Sequence, residues 1–177
     1  MAIGQVSHEL EVNVSASEAW DLYGSLELAK FVEQELPNLT EKVELIQGDG
    51  GVGSILKVTF ASGSGVHKEK FTKVDHEKRV KEVEVIEGGL LELGLSLYRV
   101  RFEIIEKVEA DYSSSSCCII KTTIEFDVKE DAAPNTSSLV SLSIPSKTLQ
   151  RSQRPISSTN NLYLYPGSLS FVFSYLI

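Results

Sequence analysis

The chain has 177 residues, 42% of them hydrophobic, which is enough for one domain with a substantial buried core. Its 17 basic and 25 acidic residues give a net charge of -8, and because that field repels a polyanion, we expect no nucleic-acid partner. The N-terminus goes directly into an alternating segment, without the basic and then apolar stretch of a secretory signal, so we expect a cytoplasmic protein.

The first part of the chain predicts one strand followed by two short helices. Apolar alternation indicates a strand from Ser7 to Val14. The segment Ser15-Ala16-Ser17-Glu18 has the pattern of a capping box, which opens a helix. A second short helix is predicted from Leu26 to Leu36, because Pro37 follows it.

Alternation of apolar and polar residues then returns and predicts six more strands. From Tyr98 to Ile104 every even position is apolar or aromatic and every odd position is charged, as in a half-buried antiparallel strand. Parallel neighbours would need long crossovers, and only short turns separate these segments. We therefore predict an α+β domain with one antiparallel sheet of about seven strands. The six segments are Leu39–Gln47, Ser54–Ala61, Val66–Val74, Val80–Glu87, Leu95–Val108 and Cys117–Val128.

The end of the chain does not continue this pattern. An apolar sheet face needs a covering helix, but four prolines interrupt residues 131–177, so we predict a domain over residues 1–130 and an aberrant C-terminal segment after it. Another reading frame of Ile144–Pro155 is compatible with an amphipathic helix, which predicts a frameshift or gene-model change near Leu142. The apolar stretch Leu162–Ile177 is shorter than the roughly 20 residues of a spanning helix, so we expect no membrane anchor.

The sequence predicts neither a cofactor nor a metal. The glycine loop Gly48–Gly53 joins two strands and lacks the Gly-Lys-Ser ending of a nucleotide cradle. Cys117 and Cys118 are adjacent on a predicted strand, so their side chains should point to opposite faces and a bridge between them would be strained. We expect two reduced thiols, and the three scattered histidines do not complete a zinc site.

The glycine loop Gly48–Gly53 and the segments His67–Phe71, Val74–Lys81 and Ile86–Gly89, in this order of elements, resemble the Bet v 1 (pathogenesis-related class-10) family and, within it, the (S)-norcoclaurine synthases. The resemblance covers about residues 5 to 142. It implies a helix-grip fold, in which a curved antiparallel sheet and a long C-terminal helix enclose a small hydrophobic ligand. In this chain that helix is predicted to be lost or altered.

The resemblance also implies site residues. The synthases condense dopamine with an aldehyde in a Pictet–Spengler reaction, and their pocket lysine and glutamate fall on Lys81 and Glu69. Phe71 matches an aromatic pocket wall. His67 stands where the synthases have a tyrosine, and Val100 where they have an aspartate. If the protein is an enzyme, Lys81 and Glu69 are the implied catalytic pair.

The residue pattern supports an inward orientation for both charged groups. Lys81 shares a face with Val83, and burial of its ammonium would lower its pKa and suit proton transfer. An exposed lysine on a charged strand is the alternative. Glu69 shares a face with His67 and Phe71, and pairing with Lys81 across the ladder would make both charges tolerable, whether the pair is structural or catalytic.

Two interpretations remain for the role of each of two further side chains. His67 is a proton relay or a rim residue, and Tyr98 supplies a phenol or packs as an aromatic. The predicted ligand-binding set is His67, Phe71, Val83, Leu91, Tyr98, Val100 and Phe102.

Three functions follow from these expectations. The first is the binding of a small hydrophobic plant metabolite or hormone, of the defence-related class-10 type. The alternative is a synthase-type condensation of dopamine with 4-hydroxyphenylacetaldehyde in benzylisoquinoline alkaloid biosynthesis. Phosphatase inhibition of the abscisic-acid-receptor type is weaker, because Ser62–Gly65 and His76–Arg79 lack the receptors' gate and latch motifs. The oligomeric state stays open.

Overall fold

The computed structural model describes residues 4–63, 65–107 and 117–130. The predicted end of a strand at Val108, the reading-frame change near Leu142 and the covering C-terminal helix all lie outside the described residues. So does the proposed boundary between a domain and an aberrant segment.

The described residues form seven strands and two helices in the predicted order, together with two three-residue 3-10 turns. The prediction of an α+β domain with a curved antiparallel sheet is thereby confirmed. The elements are β1 Gly4–Val12, α1 Ala16–Tyr23, α2 Glu27–Glu35, β2 Thr40–Gln47, β3 Ile55–Phe60, β4 Val66–Asp75, β5 Val80–Gly88, β6 Leu95–Glu106 and β7 Cys118–Val128, with the 3-10 turns at Ala61–Gly63 and Gly89–Leu91.

The sheet has the order β1-β7-β6-β5-β4-β3-β2, and every neighbouring pair is antiparallel. Strands β2 to β7 form a meander, whereas β1 pairs with β7 at the far edge. The chain must therefore cross from one edge to the other between β1 and β2. Helices α1 and α2 make that crossing, with α1 against β6 and β7 and α2 against β2.

The capping box that opens α1 is present. The Ser15 hydroxyl accepts the backbone N–H of Glu18 at 3.2 Å, and the Glu18 carboxylate accepts the backbone N–H of Ser15 at 3.0 Å. These contacts satisfy donors that the first helical turn cannot satisfy internally, and such a cap contributes about 1 kcal/mol.

The apolar face of the sheet packs against α1. In β6 the inward residues Tyr98, Val100, Phe102 and Ile104 are all buried, as the alternation predicts. Tyr23 of α1 is fully buried, with its ring edge-on to Phe102 at 5.3 Å between centroids. Burial fixes α1 over β6, and the short connection places α2 over the opposite half of the sheet.

Strand β2 differs from its expected alternation. Register shifts interrupt its pairing with β3 near both ends, and Leu45 and Ile46 are 44% and 54% exposed. A bulge adds a residue to one strand and redirects the side chains beyond it. Because β2 is an edge strand, this change does not open the core.

The two cysteines carry thiols and do not form a disulfide, and both are buried. Opposite faces were expected, but Cys117 precedes the first residue of β7, so the alternation of the strand does not govern it. Burial raises the pKa of the Cys118 thiol to about 11, and the neighbouring Cys117 adds to the rise. Of the helices that the structure describes, none has the length and apolar character needed to cross a membrane.

Candidate functional site

An apolar cavity of about 60 Å3 lies between α2 and the inner face of the sheet. Small-molecule pockets typically measure roughly 300–1,000 Å3, so a ligand requires this cavity to widen. Its charged lining residues are Glu69 and Lys81. The other lining residues are Leu28, Ala29, Val32, Val43, Leu56, Val58, Phe71, Val83, Val85, Val100 and Phe102.

Local periodicity explains this lining. On α2, Leu28 and Val32 are four residues apart and therefore face the same side. On β3 the alternate residues Leu56 and Val58 are buried. The helix α2 and the strand β3 thus each place apolar side chains along the cavity. A charged group between these two elements is removed from water.

Lys81 places its ammonium in this apolar environment. The residue is 2% exposed, and Nζ donates a hydrogen bond to the backbone carbonyl of Ser25 at 2.9 Å. Nζ also lies 3.9 Å from the centroid of the Phe71 ring, a cation–π contact. Desolvation lowers the pKa of Lys81 to about 8, although the nearby Glu69 carboxylate acts to raise it. An amine with this pKa exchanges protons readily near neutral pH.

Glu69 borders the cavity from β4. Its Oε2 lies 3.4 Å from Nε2 of His67, within ion-pair distance if the imidazole is protonated, although the two atoms do not have hydrogen-bond geometry. His67 is 2% exposed and is therefore a buried residue, not a rim residue.

The sheet register separates Glu69 from Lys81. Glu69 pairs with Val85, which is four residues from Lys81 along β5, or about 13 Å at roughly 3.3 Å per residue. Phe71 pairs with Val83 between these two points. The expected pairing across the ladder does not occur, and no ion pair links the two side chains in the described residues. The pair formed by Phe71 and Val83 instead lies between Glu69 and Lys81 and forms an apolar floor of the cavity.

The structure brings together part of the predicted ligand-binding set. Phe71, Val83, Val100 and Phe102 line the cavity with the two charged residues. The other three do not line it. His67 is buried beside Glu69, Tyr98 is buried on β6 opposite Phe126, and the half-buried Leu91 packs against the main core.

Sequence reasoning missed the contribution of the helices. Leu28, Ala29 and Val32 form one wall, and the Ser25 carbonyl holds the lysine ammonium. The spacing of Leu28 and Val32 signalled a buried face on α2. Nothing in the sequence signalled the backbone acceptor, because any residue carries a carbonyl.

The residues present offer acid–base chemistry. Lys81 can donate and accept a proton, and Glu69 can accept one. No group of three or more histidine, cysteine or acidic side chains has a metal-binding arrangement in the described part of the chain.

The chain is similar in sequence to proteins that are named as synthases. A norbelladine synthase from Narcissus pseudonarcissus is 47% identical over 137 residues, which cover 76% of this chain and 80% of that protein. S-norcoclaurine synthase 1 from Papaver somniferum is 37% identical over 139 residues, which cover 77% of this chain and 58% of that protein. This chain therefore spans less than two thirds of the length of the poppy relative.

A solved structure shows the same fold. It is the X-ray structure of norcoclaurine synthase from Thalictrum flavum in complex with dopamine and hydroxybenzaldehyde, with a TM-score of 0.65 at 38% identity, covering 78% of this chain and 77% of that chain. The family model of the pathogenesis-related protein Bet v 1 family matches residues 1–150. The chain thus belongs to the pathogenesis-related protein Bet v 1 family, and it is similar to norbelladine and norcoclaurine synthases.

Proposed function

We propose that this domain condenses an aromatic amine with an aldehyde inside the cavity. The observation that carries the proposal is the buried Lys81 ammonium, held over Phe71 in a cavity whose other charged lining residue is Glu69. The relatives named for synthase activities and the solved complex with dopamine and hydroxybenzaldehyde support this substrate class.

Lys81 has a role in the first two steps. The amine nitrogen attacks the carbonyl carbon, a C–N bond forms, and the carbonyl oxygen takes a proton from the Lys81 ammonium. The attacking nitrogen then gives a proton to the now neutral Lys81, Lys81 passes this proton to the hydroxyl, and the hydroxyl leaves as water, so that an iminium remains. A proton donor with a pKa of about 8 supplies and recovers protons at neutral pH.

Glu69 has a role in ring closure. An electron-rich carbon of the aromatic amine attacks the iminium carbon and forms a C–C bond. The ring carbon then carries an extra proton, and Glu69 removes it to restore aromaticity. The apolar floor of Phe71 and Val83 holds the ring between acid and base.

The test is incubation of the protein with dopamine and 4-hydroxyphenylacetaldehyde, followed by chiral chromatography of the product. The proposal predicts an excess of one enantiomer, formed faster than without protein and lost in Lys81→Met. Lys68→Met is the matched control, because Lys68 pairs with Glu87 at the surface and does not line the cavity. A racemic product at the uncatalysed rate would contradict the proposal.

Binding without chemistry is the second candidate. The observation that favours it is the nearly apolar lining, in which Val100 offers no acid or base where the synthases have an aspartate. Displacement of a fluorescent probe by fatty acids, flavonoids, cytokinins and alkaloids tests it. Saturable binding that survives Lys81→Met, without product formation, would favour a carrier, whereas no saturable binding would exclude it.

The cell compartment is a separate proposal. We propose that the protein works in the cytoplasm, where its two buried thiols remain reduced. Fractionation of the source tissue with an antibody to the protein tests this, and recovery from the secreted fraction would contradict it.

A further inference from the structure

One hydrogen bond joins helix α1 to the turn His76–Arg79, which connects β4 to β5. The indole N–H of Trp20 donates to Nδ1 of His76 at 3.2 Å, and the two rings meet edge-on with 5.7 Å between their centroids. Trp20 is 8% exposed and belongs to the main core, whereas His76 is exposed on the turn. A core side chain is thus bound to a group that water reaches.

The structure on both sides of this contact has a defined conformation. A Cβ on Gly24, the residue that ends α1, would overlap the Trp20 ring, so the indole lies directly against the end of its own helix. On the turn, the Asp75 carboxylate accepts the Lys78 N–H at 3.0 Å, and Arg79 adopts the left-handed conformation with a φ of 51°. The contact therefore joins a helix end to a shaped turn.

The contact also joins the chain segments that carry the two ends of the Lys81 hydrogen bond. The turn leads into β5, in which Lys81 is the second residue, and α1 ends shortly before Ser25, whose carbonyl accepts from Lys81 Nζ. Neither Trp20 nor His76 lines the cavity. The Trp20–His76 contact therefore holds the same two segments together from outside the cavity.

The direction of the Trp20–His76 hydrogen bond makes it depend on the charge of His76. An indole nitrogen can only donate, so Nδ1 must carry a lone pair, as it does in one tautomer of the neutral imidazole. In an imidazolium both ring nitrogens carry a proton, and two donors would then face each other. Histidine side chains as a class change charge between about pH 5 and 8. Because His76 is exposed, water can deliver the proton.

We propose that His76 is a pH-sensitive link between α1 and the β4–β5 turn: the neutral imidazole holds the Trp20 indole, and the imidazolium releases it. The link goes beyond the proposed condensation and does not depend on it. The charged groups around His76 are Asp75, Glu77, Lys78 and Arg79 on or beside its own turn, Glu18 and Asp21 near Trp20 in the sequence of α1, and Glu106 of β6, which pairs with Arg79.

The test uses the indole N–H of Trp20, which gives a single NMR signal because the chain has one tryptophan. Its exchange with water is measured in the parent and in His76→Gln at about pH 8 and about pH 5, the limits between which histidine changes charge. The glutamine oxygen is an acceptor at both pH values. At the lower pH the parent should exchange up to roughly tenfold faster than His76→Gln, the effect expected from the loss of one hydrogen bond. At the higher pH the two rates should be similar.

Two further variants assign the effect to this contact. His76→Phe keeps a ring against Trp20 but cannot accept a hydrogen bond, so its indole N–H should exchange rapidly at both pH values. His8→Gln is the matched control, because His8 lies on β1 and pairs with Thr122, so this variant should behave as the parent does. The amide spectrum of each variant shows whether the fold is intact.

The ratio of the parent rate to the His76→Gln rate decides the proposal. An equal ratio at both pH values would overturn it, and so would an indole N–H that is as well protected in His76→Phe as in the parent at the higher pH. If His76→Phe does not fold, the ratio decides alone. Product formation is measured separately: a pH-dependent ratio in a protein that makes no product would support the His76 link and contradict only the condensation.

Discussion

The two faces of β5 give their charged residues different properties. On the inner face Lys81 is buried, and desolvation lowers its pKa to about 8. On the outer face Glu84 lies 2.7 Å from the guanidinium of Arg99, and this contact raises the pKa of Arg99. Side chains separated by only a few residues are thus a buried ammonium with a lowered pKa in one case and part of an ion pair in the other. The difference teaches that removal from water lowers the pKa of a cation, whereas a nearby carboxylate on the outer face raises it.

The largest effect should come from removing the inner charge. In Lys81→Met we expect the condensation rate to fall by roughly one hundred-fold to ten thousand-fold, the usual contribution of a positioned acid–base group. The initial rate with dopamine and the aldehyde is the measurement, and Lys68→Met is the control. A Lys81→Met rate within a few-fold of the parent rate would show that the buried ammonium does not contribute to the condensation.

The inner face also depends on the aromatic floor. Phe71 is 1% exposed, so Phe71→Ala should lower the free energy of unfolding by about 3–5 kcal/mol through lost burial and a new void. Leu93→Ala is the control, because Leu93 is 53% exposed and its loss should change stability by about 0.5 kcal/mol or less. Urea unfolding of both variants gives the comparison, and equal effects would contradict the assigned packing.

The pH dependence of stability reports the same burial. Folded Lys81 loses its proton near pH 8, whereas the unfolded lysine keeps it to about 10.5, so between these values the unfolded state binds more protons. The free energy of unfolding should therefore rise with pH across this window, by up to about 3 kcal/mol from this group. The cost of the buried charge is fully present below pH 8. Subtracting the Lys81→Met profile isolates this contribution, and a flat difference would contradict it.

The outer face should respond least. Arg99 is partly exposed and contacts Glu82, Glu84 and Glu125. Because water and salt screen such pairs, Arg99→Gln should cost about 1 kcal/mol or less, and the cost should shrink as salt is added. Condensation should not change. A loss of product in Arg99→Gln with the fold intact would mean that the two faces are coupled.

The sequence predicted the parts of this fold that depend on local pattern. Alternation along β6 identified Val100 and Phe102 as inward residues, and the parity of Lys81 with Val83 on β5 was also correct. These predictions succeed because the strand period of two needs no knowledge of neighbouring elements.

The parts that failed depend on tertiary arrangement. The pairing of Asp75 with Val80 beside the turn sets the register that places Val74, not Glu69, opposite Lys81, and strand alternation alone does not fix the register between two strands. His67 follows its predicted face but is buried, because Phe60 and Gly89 close around it. Helix α2 forms one wall of the cavity, and this wall depends on how the helix packs against the sheet. The nine residues of α2 do not by themselves specify that packing.

The most direct test is the NMR titration of the Lys81 amine in the parent protein. The account predicts a midpoint near pH 8, because an apolar cavity disfavours the charged form more than the Glu69 carboxylate restores it. The signal should disappear in Lys81→Met and persist in Lys68→Met. A midpoint near 10.5, the ordinary value for lysine, would show that water reaches the ammonium and would contradict a site built for proton transfer.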